Sequence, residues 1–66
     1  MSYKVIFKEL EEERELSGKT TIRDVLADLD ISSETVVVKQ NGDVVIEDSE
    51  IQDGDEIQLI QIIYGG

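Results

Sequence analysis

Ile22, Val25, Leu26 and Leu29 fall at i, i+3, i+4 and i+7, the one place in the chain where apolar residues follow the period of a helix. The other apolar residues sit in short alternating or β-branched runs. One amphipathic helix among several strands has a single economical solution: it lies across one face of a sheet, so that each element covers the other's apolar side. Thr21 is placed to cap the first amides, and Asp24 stands three residues later, as in a capping box. Asp28 and Asp30 oppose the dipole at the other end, so the helix is expected to stop soon after Leu29.

The strands read as follows. Over residues 2–8, Tyr3, Val5 and Phe7 alternate with Lys4, Ile6 and Lys8, which makes a strand with its aromatic side inward. Ile6 falls on the polar side. Residues 9–18 contain good helix formers, but only Leu10 and Leu16 are apolar. That is too few for a helical stripe, so the expectation is a turn and an edge strand, with Leu16 inward and the glutamates in water. Val36-Val37-Val38 is a strand by composition. Asn41-Gly42 suits a type I′ turn, because both residues accept positive φ, and Val44-Val45-Ile46 is the expected partner strand. Asp53-Gly54-Asp55 is a second tight turn. Residues 56–63 form a long last strand, with Ile57 and Leu59 on one face beside Gln61, and Ile60 and Ile62 on the other beside Gln58. The opening and closing strands are the most apolar and should be central. The fold class is therefore α+β, one helix packed across a sheet of four to five strands.

At 66 residues and 39% apolar content, there is material for one small domain and one core. A domain of this size buries only about 60% of the surface its unfolded chain exposes. A single domain spanning 1–66 is expected, with a flexible tail at 64–66.

Six basic against sixteen acidic residues leave a net charge of −10. That balance argues against nucleic acid, whose phosphates call for Lys and Arg, and against an anionic membrane surface. It suggests a partner with a basic cleft. With no Cys and no His, the chain has no disulfide, no thiolate nucleophile, no usual general base and no zinc site of the common kind. No apolar run approaches the ~18 residues of a membrane span, and Met1-Ser2-Tyr3-Lys4 lacks the layout of a signal peptide. A cytoplasmic protein, monomeric when free, is expected. The acidic stretch 43–56 does not form a calcium loop. With Gly54 at the sixth position, Ser49, Ile51 and Asp53 would fill the ligand places. It reads as a solvated face, without metal. One helix and no evident cleft leave little room to set two carboxylate pKa values apart, so the chain is not expected to be an enzyme.

The last residues are the most informative. A long apolar strand runs into Tyr64-Gly65-Gly66. A stiff body bearing a thin tail that ends in a carboxylate has a chemical use. The carboxylate, ionised above a pKa of ~3.3–3.7, is a poor acyl donor until it is converted to an acyl-adenylate. Two residues without Cβ permit the close backbone approach that a narrow active-site passage demands.

These features together resemble the ubiquitin-like sulfur carriers of the ThiS and MoaD type and the archaeal small modifier proteins. The residues that carry the likeness are Tyr3-Lys4-Val5-Ile6-Phe7, the helix from Ile22 to Leu29, the hairpin with Asn41-Gly42, the turn and strand Asp53-Gly54-Asp55-Glu56-Ile57, and Gly65-Gly66. The resemblance implies the β-grasp fold. It implies that a separate adenylating enzyme of the ThiF/MoeB type uses ATP to activate Gly66, with no cofactor bound by the carrier. The adenylate then becomes a thiocarboxylate with sulfur from a donor protein. The acceptor is thiazole synthase, the large subunit of molybdopterin synthase or a tRNA thiolation enzyme. Tyr64 and Gly65 would thread the partner's active site, and Tyr64 departs from the small residue or Arg often found before the two glycines. Relatives dock through the sheet face opposite the helix, which here maps to Ile6, Val37, Ile60 and Ile62. Three functions follow: a sulfur carrier acting through Gly66, a covalent modifier joining the same carboxylate to target lysines, and a non-covalent interaction domain in which the glycines are incidental.

Overall fold

The computed structural model describes residues 1–62. The expected end of the last strand at residue 63, and the tail of Tyr64, Gly65 and Gly66, lie outside the described residues.

The alternation at the start of the chain becomes β1 (Ser2–Phe7), with Tyr3 and Val5 buried. Lys8 takes φ 58 and turns the chain. The acidic stretch then returns as β2 (Leu10–Glu15), antiparallel to β1, with Tyr3 opposite Arg14 and Val5 opposite Glu12. Pairing with β1 overrides the helix propensity here. It satisfies the backbone and leaves the glutamates in water on a sheet edge, where charge also discourages stray pairing. Leu16 follows the strand and packs against the core.

Two very short strands form a ribbon that the residue pattern does not announce, β3 (Thr20–Thr21) with β6 (Glu50–Ile51). Its extension supports the helix start. The amides of Ile22 and Arg23 donate to the carbonyls of Ser49 and Glu47 at 3.0 and 2.9 Å. The helix α1 (Ile22–Asp28) buries Ile22, Val25 and Leu26. Thr21 caps it reciprocally: its hydroxyl accepts the Asp24 amide at 3.4 Å, and the Asp24 carboxylate accepts the Thr21 amide at 3.0 Å. Leu29 ends the helix, and Asp30 follows in a left-handed conformation. Asp28, unfavourable beside the carbonyl end of the dipole, is paired with Arg14 of β2.

The second half is a hairpin and a return. β4 (Val36–Gln40) and β5 (Asp43–Val45) flank Asn41-Gly42, both at positive φ. The two-residue turn sets Gln40 opposite Asp43, so β5 begins one residue before the expected Val44 and leaves Ile46 outside the strand. β7 (Glu56–Gln61) runs parallel to β1 and antiparallel to β4. The main sheet is five-stranded, in the order β2-β1-β7-β4-β5. The apolar opening and closing strands are therefore inside it, as their composition suggests. The inward residues of β1, β4 and β7 meet the helix stripe in one core, where Ile22 and Ile57 are fully enclosed. No helix of the described residues is long and apolar enough to cross a membrane.

Candidate docking face

Because α1 covers one side of the sheet, the alternate residues of every strand emerge on the other. The register brings the four expected positions of this face together. Val37 of β4 lies directly opposite Ile60 of β7. Ile6 of β1 lies opposite Gln58, two residues before Ile60. Ile62 continues the same ladder one residue past β7, its amide donating to the Thr35 carbonyl at 2.8 Å. Ile60 and Ile62 are each 38% exposed, and Ile6 and Val37 are half-buried. Ile6 and Ile60 border a shallow depression of about 330 Å³ whose rim includes Lys8 and Gln58.

Charge is distributed unevenly over this face. At one end, Lys4 sits between Glu13 of β2 and Glu56 of β7 and forms an ion pair with Glu11 at 2.9 Å. That hydrogen bond and the Glu11 charge raise the Lys4 pKa above its ordinary value, with Glu56 and Glu13 adding to the effect. In the next row Glu11 lies directly opposite Ile6, and Lys39 stands across from Gln58; Lys8 follows β1, beside Ile60 on the rim of the depression. On its other side Lys39 lies opposite Val44. Among the described residues neither Lys8 nor Lys39 has a carboxylate within ion-pair distance. The alternation in the sequence already places Lys39 on the side of Val37. What it could not supply is the cross-strand neighbours that leave this lysine without a counter-charge.

A second cluster fastens the sheet behind the face. Asp55 is buried. Its carboxylate accepts the Asn41 side-chain amide at 2.9 Å, the Gln40 side-chain amide at 2.6 Å and the Gln52 backbone amide at 2.7 Å. Burial by itself pushes the carboxyl pKa up. The hydrogen bonds from Asn41, Gln52 and Gln40 outweigh it, so the net shift is downward. Gln40 is held in turn by Ser49, whose hydroxyl donates to its Oε1 at 2.6 Å. Asp55 is thus a structural anchor, tying the β4–β5 turn to the entry of β7. Among the described residues no group of three or more acids is placed to hold a metal.

The ThiS family model matches residues 3–66. The chain belongs to the ThiS family. The structure of this ThiS-family protein is similar to that of SAMP1 from Haloferax volcanii, with a TM-score of 0.77 at 18% identity over 100% of both chains. It is similar to the putative molybdopterin converting factor subunit 1 from Pyrococcus furiosus, with a TM-score of 0.77 at 21% identity, covering 94% of this chain and 98% of that one. A third likeness is to a chain in the complex of subunits 1 and 2 of the molybdopterin-converting factor from Helicobacter pylori, with a TM-score of 0.71 at 19% identity over 100% of both chains. The fold is the ubiquitin-like β-grasp. The family is one of small carrier or modifier proteins.

Proposed function

We propose that this protein is a sulfur carrier whose functional atoms are those of the Gly66 carboxylate. A partner enzyme of the ThiF/MoeB type adenylates that carboxylate: a carboxylate oxygen attacks the α-phosphorus of ATP, and pyrophosphate leaves. Sulfide delivered by a donor protein then displaces AMP, leaving a thiocarboxylate. The charged carrier passes its sulfur to a biosynthetic acceptor, in thiazole formation, molybdopterin formation or tRNA thiolation. The observation that carries this reading is the family match, which runs from residue 3 through Gly66 and so includes Tyr64 and Gly65 in the tail. The chemistry fits what the chain lacks. Without Cys or His it has no thiolate or imidazole for sulfur transfer, so ATP and the reactive groups belong to the partners. The body's task is to dock through Ile6, Val37, Ile60 and Ile62 while the tail reaches the phosphate.

The experiment is intact mass spectrometry of the protein isolated from its own host. The expected result is a species heavier by one oxygen-to-sulfur exchange, mapped to Gly66 and absent when Gly66 is deleted. A free carboxylate at Gly66 under every growth condition, with unchanged function of the deletion variant, would overturn the reading. The second reading, a modifier joined to target lysines through the same Gly66, rests on the resemblance to archaeal small modifiers. It predicts conjugates of higher mass instead. The last basic residue is Lys39, so trypsin leaves a long remnant on a target, and cleavage after Tyr64 by a chymotrypsin-like protease leaves Gly65-Gly66.

A further inference from the structure

Asn41 is the chain's one asparagine, and glycine follows it. In such a pair the following backbone nitrogen is the nearest nucleophile to the side-chain carbonyl carbon, and glycine sets no Cβ in its way. The bond formed joins Gly42 N to Asn41 Cγ, and the bond broken is Cγ to Nδ2. Water carries the Gly42 amide proton to Nδ2, which leaves as ammonia. A second water opens the resulting succinimide at one carbonyl or the other, giving aspartate or isoaspartate.

The turn offers this reaction no steric barrier. Asn41 and Gly42 are exposed, and a Cβ at Gly42 would meet nothing within 4 Å. The restraint is the hold on the asparagine side chain. Its Nδ2 donates to Asp55 at 2.9 Å and its Oδ1 accepts the Glu56 amide at 2.9 Å. Both ends of the amide are committed to β7, so the carbonyl carbon is not free to turn onto the Gly42 nitrogen. The Asn41 backbone amide is tied as well, donating to the Glu56 carbonyl at 2.8 Å. Asp53-Gly54 differs: the Gly54 nitrogen itself donates to the Ser2 carbonyl at 2.7 Å, and an ionised carboxylate is a poor electrophile.

We propose that Asn41-Gly42 is a site of spontaneous deamidation controlled by the Asp55 clamp, closed while the β4–β5 turn is fastened to β7 and open when the turn lets go. The change is one-way, because refolding does not restore the amide. The product also disables the clamp. A carboxylate at position 41 faces the Asp55 carboxylate where Nδ2 now donates, and two like charges at that distance repel. Isoaspartate adds a methylene to the main chain of a two-residue turn whose length sets Gln40 opposite Asp43. The proposal is independent of what Gly66 does.

The test follows the full chain in mildly alkaline buffer by intact mass and by peptide mapping that separates aspartate from isoaspartate. It compares the folded wild type, the same chain unfolded in guanidinium chloride, Asp55→Ala, and Ile57→Ala, which weakens the core and leaves the clamp in place. The amide-to-acid mass change at Asn41 is expected about thirtyfold or more faster in the unfolded chain, the factor that opening one neutral and one charge-assisted hydrogen bond corresponds to. Asp55→Ala is expected to react faster than Ile57→Ala when each is held equally far below its own unfolding midpoint. Equal rates in the folded and unfolded wild type would overturn the proposal. So would equal rates in the two variants, which would make global unfolding the control. If Asp55→Ala does not fold, the wild type decides: its rate well below the midpoint should exceed what the unfolded fraction predicts, and a rate that tracks that fraction would overturn the clamp's role. Asn41→Asp stands in for one product. Its midpoint should fall below that of the wild type, and an unchanged midpoint would show that the clamp survives the reaction and overturn the one-way release.

Discussion

Asn41 holds Asp55 across two turns: its Nδ2 donates to Asp55 Oδ1 at 2.9 Å while its own Oδ1 accepts the Glu56 amide at 2.9 Å. One side chain at positive φ thereby joins the β4–β5 turn to the first residue of β7. Asn tolerates that left-handed backbone and brings both a donor and an acceptor.

Asp55→Ala is expected to destabilise the protein by about 3 kcal/mol, because the Asn41, Gln40 and Gln52 donors lose their acceptor together. A domain of this length has only about 3–10 kcal/mol in all. Asp55→Asn keeps one acceptor but turns an NH2 group toward donors, so it should fall between Ala and the wild type. Urea unfolding checks this: the midpoint should drop with an unchanged slope. A midpoint for Asp55→Ala equal to the wild type would show that water replaces the network at no cost.

Stability should also depend on pH through this residue. The folded pKa of Asp55 is lower than its unfolded value of about 3.9. The contribution is therefore complete above about pH 4 and is lost as pH falls through the depressed folded value. The Asp55→Asn variant has no such contribution to lose. The gap in unfolding free energy between wild type and variant, followed from pH 7 down to about pH 2, should stay constant above about pH 4 and narrow below it. A gap that widens on acidification would contradict the direction assigned to the shift.

Ile57 and Ile60 lie three residues apart on β7 and face opposite sides of the sheet. Ile57 is fully enclosed by the core, whereas Ile60 is 38% exposed. Ile57→Ala should cost about 2–5 kcal/mol through lost burial and a cavity. Ile60→Ala should cost less than about 1 kcal/mol and instead reduce adenylation by the partner enzyme, as an increase in KM. Thermal melting and ATP–pyrophosphate exchange on the two variants separate the roles. Unchanged exchange for Ile60→Ala would remove that residue from the docking face.

Much of this architecture is legible along the chain. The spacing of Ile22, Val25, Leu26 and Leu29 marks the helix, Thr21 with Asp24 marks its start, and Asn41-Gly42 marks the hairpin. These are local signals, settled by the periods of 3.6 and 2 and by which residues accept positive φ. The sidedness of β7 is legible for the same reason, so Ile60 and Ile62 stand apart from Ile57 and Leu59 before any strand is paired.

Other features depend on partners far away in sequence. The β3–β6 ribbon joins Thr20 to Ile51 through two-residue strands that have no periodicity to detect. The acidic stretch becomes β2 because β1 offers it a ladder, although its own propensities favour a helix. Asp55 reads as a turn residue until Asn41 and Gln40 are folded onto it. The charge of the docking face shows the division most sharply. Composition establishes a strongly acidic chain, whereas pairing decides that Glu11 neutralises Lys4 while Lys39 faces only Gln58 and Val44 across the strands. Periodicity is a property of neighbours along the backbone, but electrostatic pairing falls off over a few ångströms in space, so only the folded sheet determines which charges remain for a partner.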